Sequence, residues 1–343
     1  MASRPAALLL ALLLAAPSWA QAQQGSEALA RGQAALRADD YATAAREFEA
    51  ARAALGDTQA IMRGLLLSYV QTRRLGEAIA TGNAAVARFP QDADLQHWLG
   101  LAYFQSRDAA QAEAHLQEAA RLRPANSDVR YDLGLVYSSQ NRYPEAVREL
   151  QAAVKLAPRQ PMARILLGRA YQNANQSVRA IAEFKTALRL DPKVPLGHYH
   201  LGFAYASLGQ NQQAIAEYKK ELAKSPEHPE VLYQLGHTLL ETGAARSALP
   251  PLAKAAQVDP RNADAFYDLG KARVATKDYA GAVTALQQAS ALDPADPSPH
   301  FLMARAFERL GRPEEAKQER ARFQELKQQV SEEGGMATGR VRR

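Results

Sequence analysis

Aromatic side chains recur in this chain at a spacing of 34 residues: Tyr131, Tyr199, Tyr233, Tyr267 and Phe301, with His97 and Ile165 in the same row. Four residues further on stand Leu67, Leu101, Leu135, Arg169, Phe203, His237, Lys271 and Arg305. Residues four apart are neighbours on a helix face, so in a helical chain the two rows form one strip. The chemistry of such a strip is recognition. Tyrosine offers a large contact area at low entropy cost and a hydroxyl that bonds a peptide backbone. The same rings would also serve as packing between successive helices, and residue types alone leave both roles open. Catalysis needs other patterns: the sequence has no nucleophile elbow, no phosphate loop, no metal-ligand quartet and no cysteine. His198 and His200 are two apart, which points them to different helix faces, unlike the i, i+4 pair a metal needs. They are assigned a structural or surface role. No cofactor is expected, and the chain is not expected to be an enzyme.

What positions these rows is a period. Alanine recurs nine times at intervals of 34 residues, from Ala44, Ala78 and Ala112 to Ala316, without a slip of register. Such a period replaces the two globular domains that 343 residues would suggest with a stacked array. Each unit buries its apolar face only against a neighbour, so at least about three are needed for any to be stable. With Gly25 as position 1, later units begin at Gln59, Ala93, Ser127, Pro161, Pro195, Pro229, Ala263 and Pro297, and the ninth ends at Val330.

The columns describe two packed helices per unit. Position 8 is Gly32, Gly100, Gly134, Gly168, Gly202, Gly236 and Gly270, with Leu66 and Ala304 departing. A glycine inside a helix is less favourable than alanine by up to ~1 kcal/mol, so the column needs a reason, and close helix approach supplies it. Position 20 is always alanine, position 27 is alanine in seven units, and leucine at position 7 with tyrosine at position 11 fills the remaining space. Asn141, Asn175, Gly209, Gly243 and Gly311, at position 15, suit a left-handed helix end. Pro90, Pro124, Pro158, Pro192, Pro226, Pro260 and Pro294, at position 32, stop the second helix. Each unit therefore reads helix, turn, helix, turn.

The pattern at positions 7, 8, 11, 20, 27 and 32 resembles that of the tetratricopeptide repeat family, from Gly25 to about Val330. The resemblance implies an all-α fold: a right-handed α-solenoid of nine 34-residue helix-turn-helix repeats over 25–330, the last acting as a C-terminal cap. It also implies that the first helices line a concave groove, into which positions 5, 9 and 12 look. The residues expected to meet a partner there are Leu101, Phe104, Tyr131, Leu135, Tyr199, Phe203, Tyr233, His237, Tyr267, Lys271, Phe301 and Arg305. The groove would be apolar toward Leu67, Leu101, Phe104 and Leu135 and basic toward Lys271, Arg305 and Arg309, which suits a ligand with an apolar stretch and a negative end. Two ligand sets of the family do not carry over. Position 5 has no lysine and position 9 no asparagine for a carboxylate clamp, and position 6 has no asparagine ladder. Arg273 replaces the tyrosine of position 11 and reads as snorkelling out of a thin core rather than bonding a groove carboxylate.

The two ends differ from the array. Residues 1–22 read as an export signal, with Arg4 in a positive leader, an apolar stretch from Ala6 to Ala16, and cleavage after Ala20 or Ala22. The apolar stretch is short for the ~20 residues of a spanning helix, so the mature form is not expected to span a membrane. Residues 331–343 read as a disordered basic tail. The net charge of +6 comes from Lys and Arg interspersed with Asp and Glu, a solvated surface rather than a nucleic-acid footprint. The expectation is a periplasmic or secreted scaffold binding a protein or extended peptide, in envelope assembly or secretion. A glycan-handling subunit of a polysaccharide export system and an accessory chain that holds an enzyme are the alternatives.

Overall fold

The computed structural model describes residues 19–333, and these form eighteen α-helices and no strand. The chain divides into two compact units, one ending at Ala170 and the other beginning at Tyr171. The first holds α1 (Trp19–Arg37), α2 (Tyr41–Leu55), α3 (Gln59–Gln71), α4 (Leu75–Arg88), α5 (Ala93–Gln105), α6 (Ala109–Leu122), α7 (Ser127–Ser139) and α8 (Tyr143–Leu156). The boundary falls within α9 (Pro161–Asn173). The second holds α10 (Ser177–Leu190), α11 (Gly197–Ala206), α12 (Asn211–Lys224), α13 (Pro229–Glu241) and α14 (Ala245–Val258), followed by α15 (Ala263–Ala275), α16 (Tyr279–Leu292), α17 (Ser298–Arg309) and α18 (Pro313–Glu333). The fold is an all-α solenoid of helix-turn-helix repeats.

The small columns are where the paired helices touch. All nine position-20 alanines, Ala44 through Ala316, are completely buried. A Cβ built on Gly134 would lie 2.4 Å from Leu150, so glycine is what lets the position-24 leucine of α8 sit against α7. The second repeat inverts this pair. Leu66 takes the glycine's place at position 8, and Gly82 takes the leucine's place at position 24, where an added Cβ would lie 3.3 Å from Leu66 and 2.6 Å from Leu99. The departure is a large-for-small exchange across one contact, which conserves volume.

The turn is as regular as the core. Position 15 lies in the left-handed region in every repeat: Asp39, Arg73, Arg107, Asn141, Asn175, Gly209, Gly243, Lys277 and Gly311. The N–H of position 16 then donates to the carbonyl of position 11, as in Arg74 to Tyr69 and Arg142 to Tyr137, both 2.9 Å. This is the six-to-one closure of a Schellman end, which satisfies a carbonyl the helix leaves open.

The terminal helices run past both ends of the repeat array. The first helix begins at Trp19, six residues before Gly25, and so includes both expected cleavage positions, Ala20 and Ala22. The export signal otherwise lies outside the described residues. The last helix runs to Glu333, three residues into the segment assigned to the tail. The rest of the tail lies outside the described residues. No helix among those described is long and apolar enough to cross a membrane.

Candidate binding face of the first helices

In the first unit the expected contact residues are partly covered. Leu101 and Phe104 on α5, and Tyr131 and Leu135 on α7, are all half-buried. The neighbouring places in the rows are filled by internally paired polar groups. His97 is buried, its Nε2 2.6 Å from Asp132 Oδ2. Burial raises the Asp132 carboxyl above its ordinary value, and the His97 bond opposes the shift. Arg63, at position 5 of the second repeat, donates from Nε to Asp92 Oδ2 at 2.6 Å. Asp92 also caps α5 by accepting from the N–H groups of Asp94 and Leu95. Most of the charge on this face is thus spent on joining one repeat to the next.

The second unit presents a different face. On α11, the Tyr199 ring lies 5.1 Å from His200, 6.2 Å from both Phe203 and Tyr218, and 6.5 Å from His228. Tyr199 Oη lies 3.5 Å from Glu230 Oε1, a long bond to an oxygen that also accepts from Gln234 Nε2 at 2.9 Å. On α13, Tyr233 packs beside His237 at 5.7 Å and against the core of the seventh and eighth repeats. His237 Nδ1 lies 2.8 Å from Asp268 Oδ2 of α15, and that bond holds the imidazole pKa above its ordinary value, against the effect of burial. On α15, Tyr267 packs onto the core below α17, and Lys271 pairs with Glu241 at 3.5 Å. Phe203 is 38% exposed and Phe301 45%. The Arg305 guanidinium lies 5.8 Å over the Phe301 ring, which in turn meets Phe323 of α18 at 5.4 Å.

The helix that carries Tyr199 starts late. Its repeat would begin at Pro195, but the chain turns through Leu196 in the left-handed conformation and α11 starts at Gly197. The N-terminal amides of His198 and Tyr199 both donate to Glu221 Oε2, at 3.0 and 3.3 Å. Glu221 is a buried carboxylate on α12 at position 27, where seven other repeats have alanine. The partner helix supplies the cap that the shortened helix lacks.

A polar lattice of fixed spacing escaped the sequence reading. Position 4 of the first helix bonds position 23 of the second in Gln96 with His115 (2.8 Å), Arg130 with Glu149 (2.7 Å), His198 with Glu217 (2.5 Å) and His300 with Glu319 (2.5 Å). Position 11 bonds position 25 of the repeat before it: Tyr69 with Glu49, Tyr103 with Asn83, and Tyr137 with Gln117. The signal that would have found both is a polar residue 19 or 20 positions from its partner, recurring with the period. Arg273 neither snorkels freely nor meets a groove carboxylate. Its Nη1 donates to the Gly281 carbonyl at 2.8 Å, and its Nε lies 3.6 Å from Asp278, so it ties α15 to the start of α16. Among the described residues no three of His, Asp and Glu converge to hold a metal.

Stacked helix pairs with two ladders of inter-helix bonds and an exposed, variable strip define a repeat scaffold built for interaction. Comparison with known proteins agrees. The tetratricopeptide repeat family matches residues 29–93 and 165–229 in one of its forms, 103–170 in a second and 270–311 in a third. The chain belongs to that family. Among solved structures it is similar to the APC/C hetero-tetramer Cut9-Hcn1, with TM-score 0.57 and 15% identity over 78% of this chain, which spans about half (52%) of that chain. It is also similar to a tetratricopeptide repeat protein from Parabacteroides merdae, with TM-score 0.55 and 13% identity over 73% of this chain and 98% of that one. Both likenesses concern the fold. No curated protein matches the sequence. Members of the family commonly bind protein partners, and the fold is typically non-catalytic.

Proposed function

We propose that this chain is an exported scaffold that holds an extended peptide, or an extended segment of a protein partner, against the first helices of its second unit. The observation that carries the reading is a pair of exposed rings, one in a column that holds other residue types in the neighbouring repeats and one in the aromatic row. Phe203 occupies the place of His237 and Lys271, and Phe301, 45% exposed, is overlain by Arg305. An exposed aromatic beside a cation, as at Phe301 and Arg305, is the composition of binding hot spots. Export is supported by the Arg4 leader and the apolar stretch after it, which would place the partner in the bacterial envelope, in assembly or secretion.

The test is an affinity capture from native envelope extract with the wild-type chain and a Phe203→Ala, Phe301→Ala double variant, the recovered proteins being identified by mass spectrometry. A protein retained by the wild type and lost from the variant, at unchanged helicity and melting temperature, is the expected result. Tyr199 is left intact because its contacts with Tyr218 and His228 make it part of the packing. Identical sets of recovered proteins would remove this face as the contact surface.

A further inference from the structure

In a repeat array the neighbours show what packing alone requires, so residues that leave their columns together and meet in space mark another demand. Such a place lies in the first unit, at the junction of the third and fourth repeats. A cleft of about 310 Å³ is lined there by Gln117 and Arg121 of α6, Arg130 and Tyr137 of α7, and Arg148 and Glu149 of α8. At the preceding junction the positions of the three arginines hold Ala87, Gln96 and Ala114. Relative to that junction three uncharged side chains have been replaced by three guanidinium groups that face one opening, whereas the following junction keeps two cations, Lys155 and Arg164, and returns to alanine at Ala182.

The charges at this opening do not cancel. Glu149 is the buried carboxylate of the cleft, and it serves two cations: Arg130 Nη1 at 2.7 Å and Arg148 Nε at 3.3 Å. Arg121 pairs with Glu118 at 2.6 Å. One carboxylate balances one of the two guanidinium groups it touches, and each guanidinium has five N–H donors, most of which those bonds do not use. Tyr137 adds a neutral donor. Gln117 Nε2 donates to the Tyr137 oxygen at 2.9 Å, which leaves the phenolic proton to be given elsewhere, and burial raises the phenol pKa so that the proton is retained. The guanidinium of Arg142, which lies 4.5 Å over the Tyr137 ring, is already paired with Glu113 at 2.7 Å and Glu145 at 2.9 Å and adds no uncompensated charge.

We propose that this cleft binds a phosphoryl group, with Arg130 and Arg148 engaging its oxygens, Arg121 closing the rim and Tyr137 donating from the wall. The planar fork of arginine matches two oxygens of one phosphate at once, and charge-assisted bonds of this kind are about twice as strong as neutral ones. The volume is at the lower end of that of small-molecule sites, roughly 300–1,000 Å³, so there is room for an organic group as well as the phosphate. The site is separate from the aromatic face of the second unit and does not depend on it.

The test is calorimetric titration of the full chain with inorganic phosphate and with phenyl phosphate, at constant ionic strength, with sodium chloride as the control. An Arg121→Ala, Arg148→Ala variant is titrated beside it. Both side chains are mostly exposed, at 61% and 67%, and alanine stands at the equivalent places one repeat earlier, so the fold is preserved. Saturable binding that weakens at least about tenfold in the variant, about 1.4 kcal/mol, is the expected result. Tighter binding of phenyl phosphate identifies a phosphate monoester as the ligand class, and equal binding identifies the free ion. Absence of saturable binding by either probe, or equal affinity in the variant, overturns the proposal. The Phe203→Ala, Phe301→Ala variant should bind both probes as the wild type does, whatever becomes of its protein partner.

Discussion

The first helices of the third and fourth repeats and those of the sixth to ninth share their packing columns and differ in nearly everything between them. On α5 and α7 the helix starts are capped by their own Asp92 and Asn126, and the face is tied up in pairs such as His97 with Asp132. On α11 the cap is borrowed from Glu221, and the face carries the rings gathered round Tyr199. Polar side chains join repeat to repeat in both units, as His97 with Asp132 and His237 with Asp268, but in the second the rings of Phe203 and Phe301 stand exposed beside them. The columns fix the position of a face, and its chemistry is free to change so long as each local departure is matched by a second one. Leu66 is matched by Gly82, and the lost first turn of α11 by Glu221.

The shared half of that comparison is tested by overpacking it. Ala112→Leu in the first unit and Ala180→Leu in the second both insert a branched side chain where none of the alanine is exposed. Each is expected to destabilise by about 1–3 kcal/mol, read as a lowered denaturation midpoint at unchanged slope. Two similar losses would sharpen the case that each unit is built on the same columns. Unchanged stability in either would break it.

The contrasting half is tested at Glu221, with a somewhat smaller effect. Glu221→Ala restores the residue that seven other repeats have at position 27, so a rule based on columns alone predicts a neutral or stabilising change. The structure predicts the opposite, a loss of about 1–2 kcal/mol, because two half-buried amides at the start of α11 lose their acceptor. Glu221→Gln, which keeps an acceptor oxygen, should recover part of it. Urea denaturation of the three proteins decides between the two rules, and an alanine variant as stable as the wild type would rule out the borrowed cap.

These examples also show which features the sequence made legible. The two helices per repeat, the buried alanines and the glycine–leucine contacts follow from a period of 34, because packing repeats wherever the small residues repeat. The left-handed turn was legible only where glycine or asparagine announces it. Arg73, Arg107 and Lys277 adopt the same conformation against their own preference, since the six-to-one bond and the packing of both helices impose it. The ladders at positions 4 and 23 were hidden because different residue types fill them, Gln and His in one repeat and Arg and Glu in the next. Of the candidate face, the aromatic row itself was legible, but its division between packing and surface was not. Tyr199 and Phe203 are one turn apart on a single helix, and only the position of His228 and Tyr218 makes one of them an anchor and leaves the other exposed.

The smallest expected effect concerns the His237–Asp268 pair that links α13 to α15. Asp268 bonds the His237 ring, and the charges of Asp268 and Glu241 favour the imidazolium, while burial and Lys271 oppose it; the net result is a pKa above the ordinary value near 6.5. A group whose pKa is raised by folding stabilises the fold fully below its unfolded pKa and loses that contribution as pH rises through the folded value. The stability advantage of the wild type over His237→Gln should therefore be largest near pH 5.5 and fade as the pH is raised from about 6.5 into the alkaline range. The His237 side chain is 42% exposed, so solvent screening limits the effect to roughly a few tenths of a kcal/mol, and added salt should reduce it further. Thermal melts of both proteins across that range provide the check. A difference that grows with pH would mean that the neutral ring, held as a hydrogen-bond donor, is the form the fold prefers, and the junction in the second unit would then resemble the uncharged Gln96–His115 contact of the first.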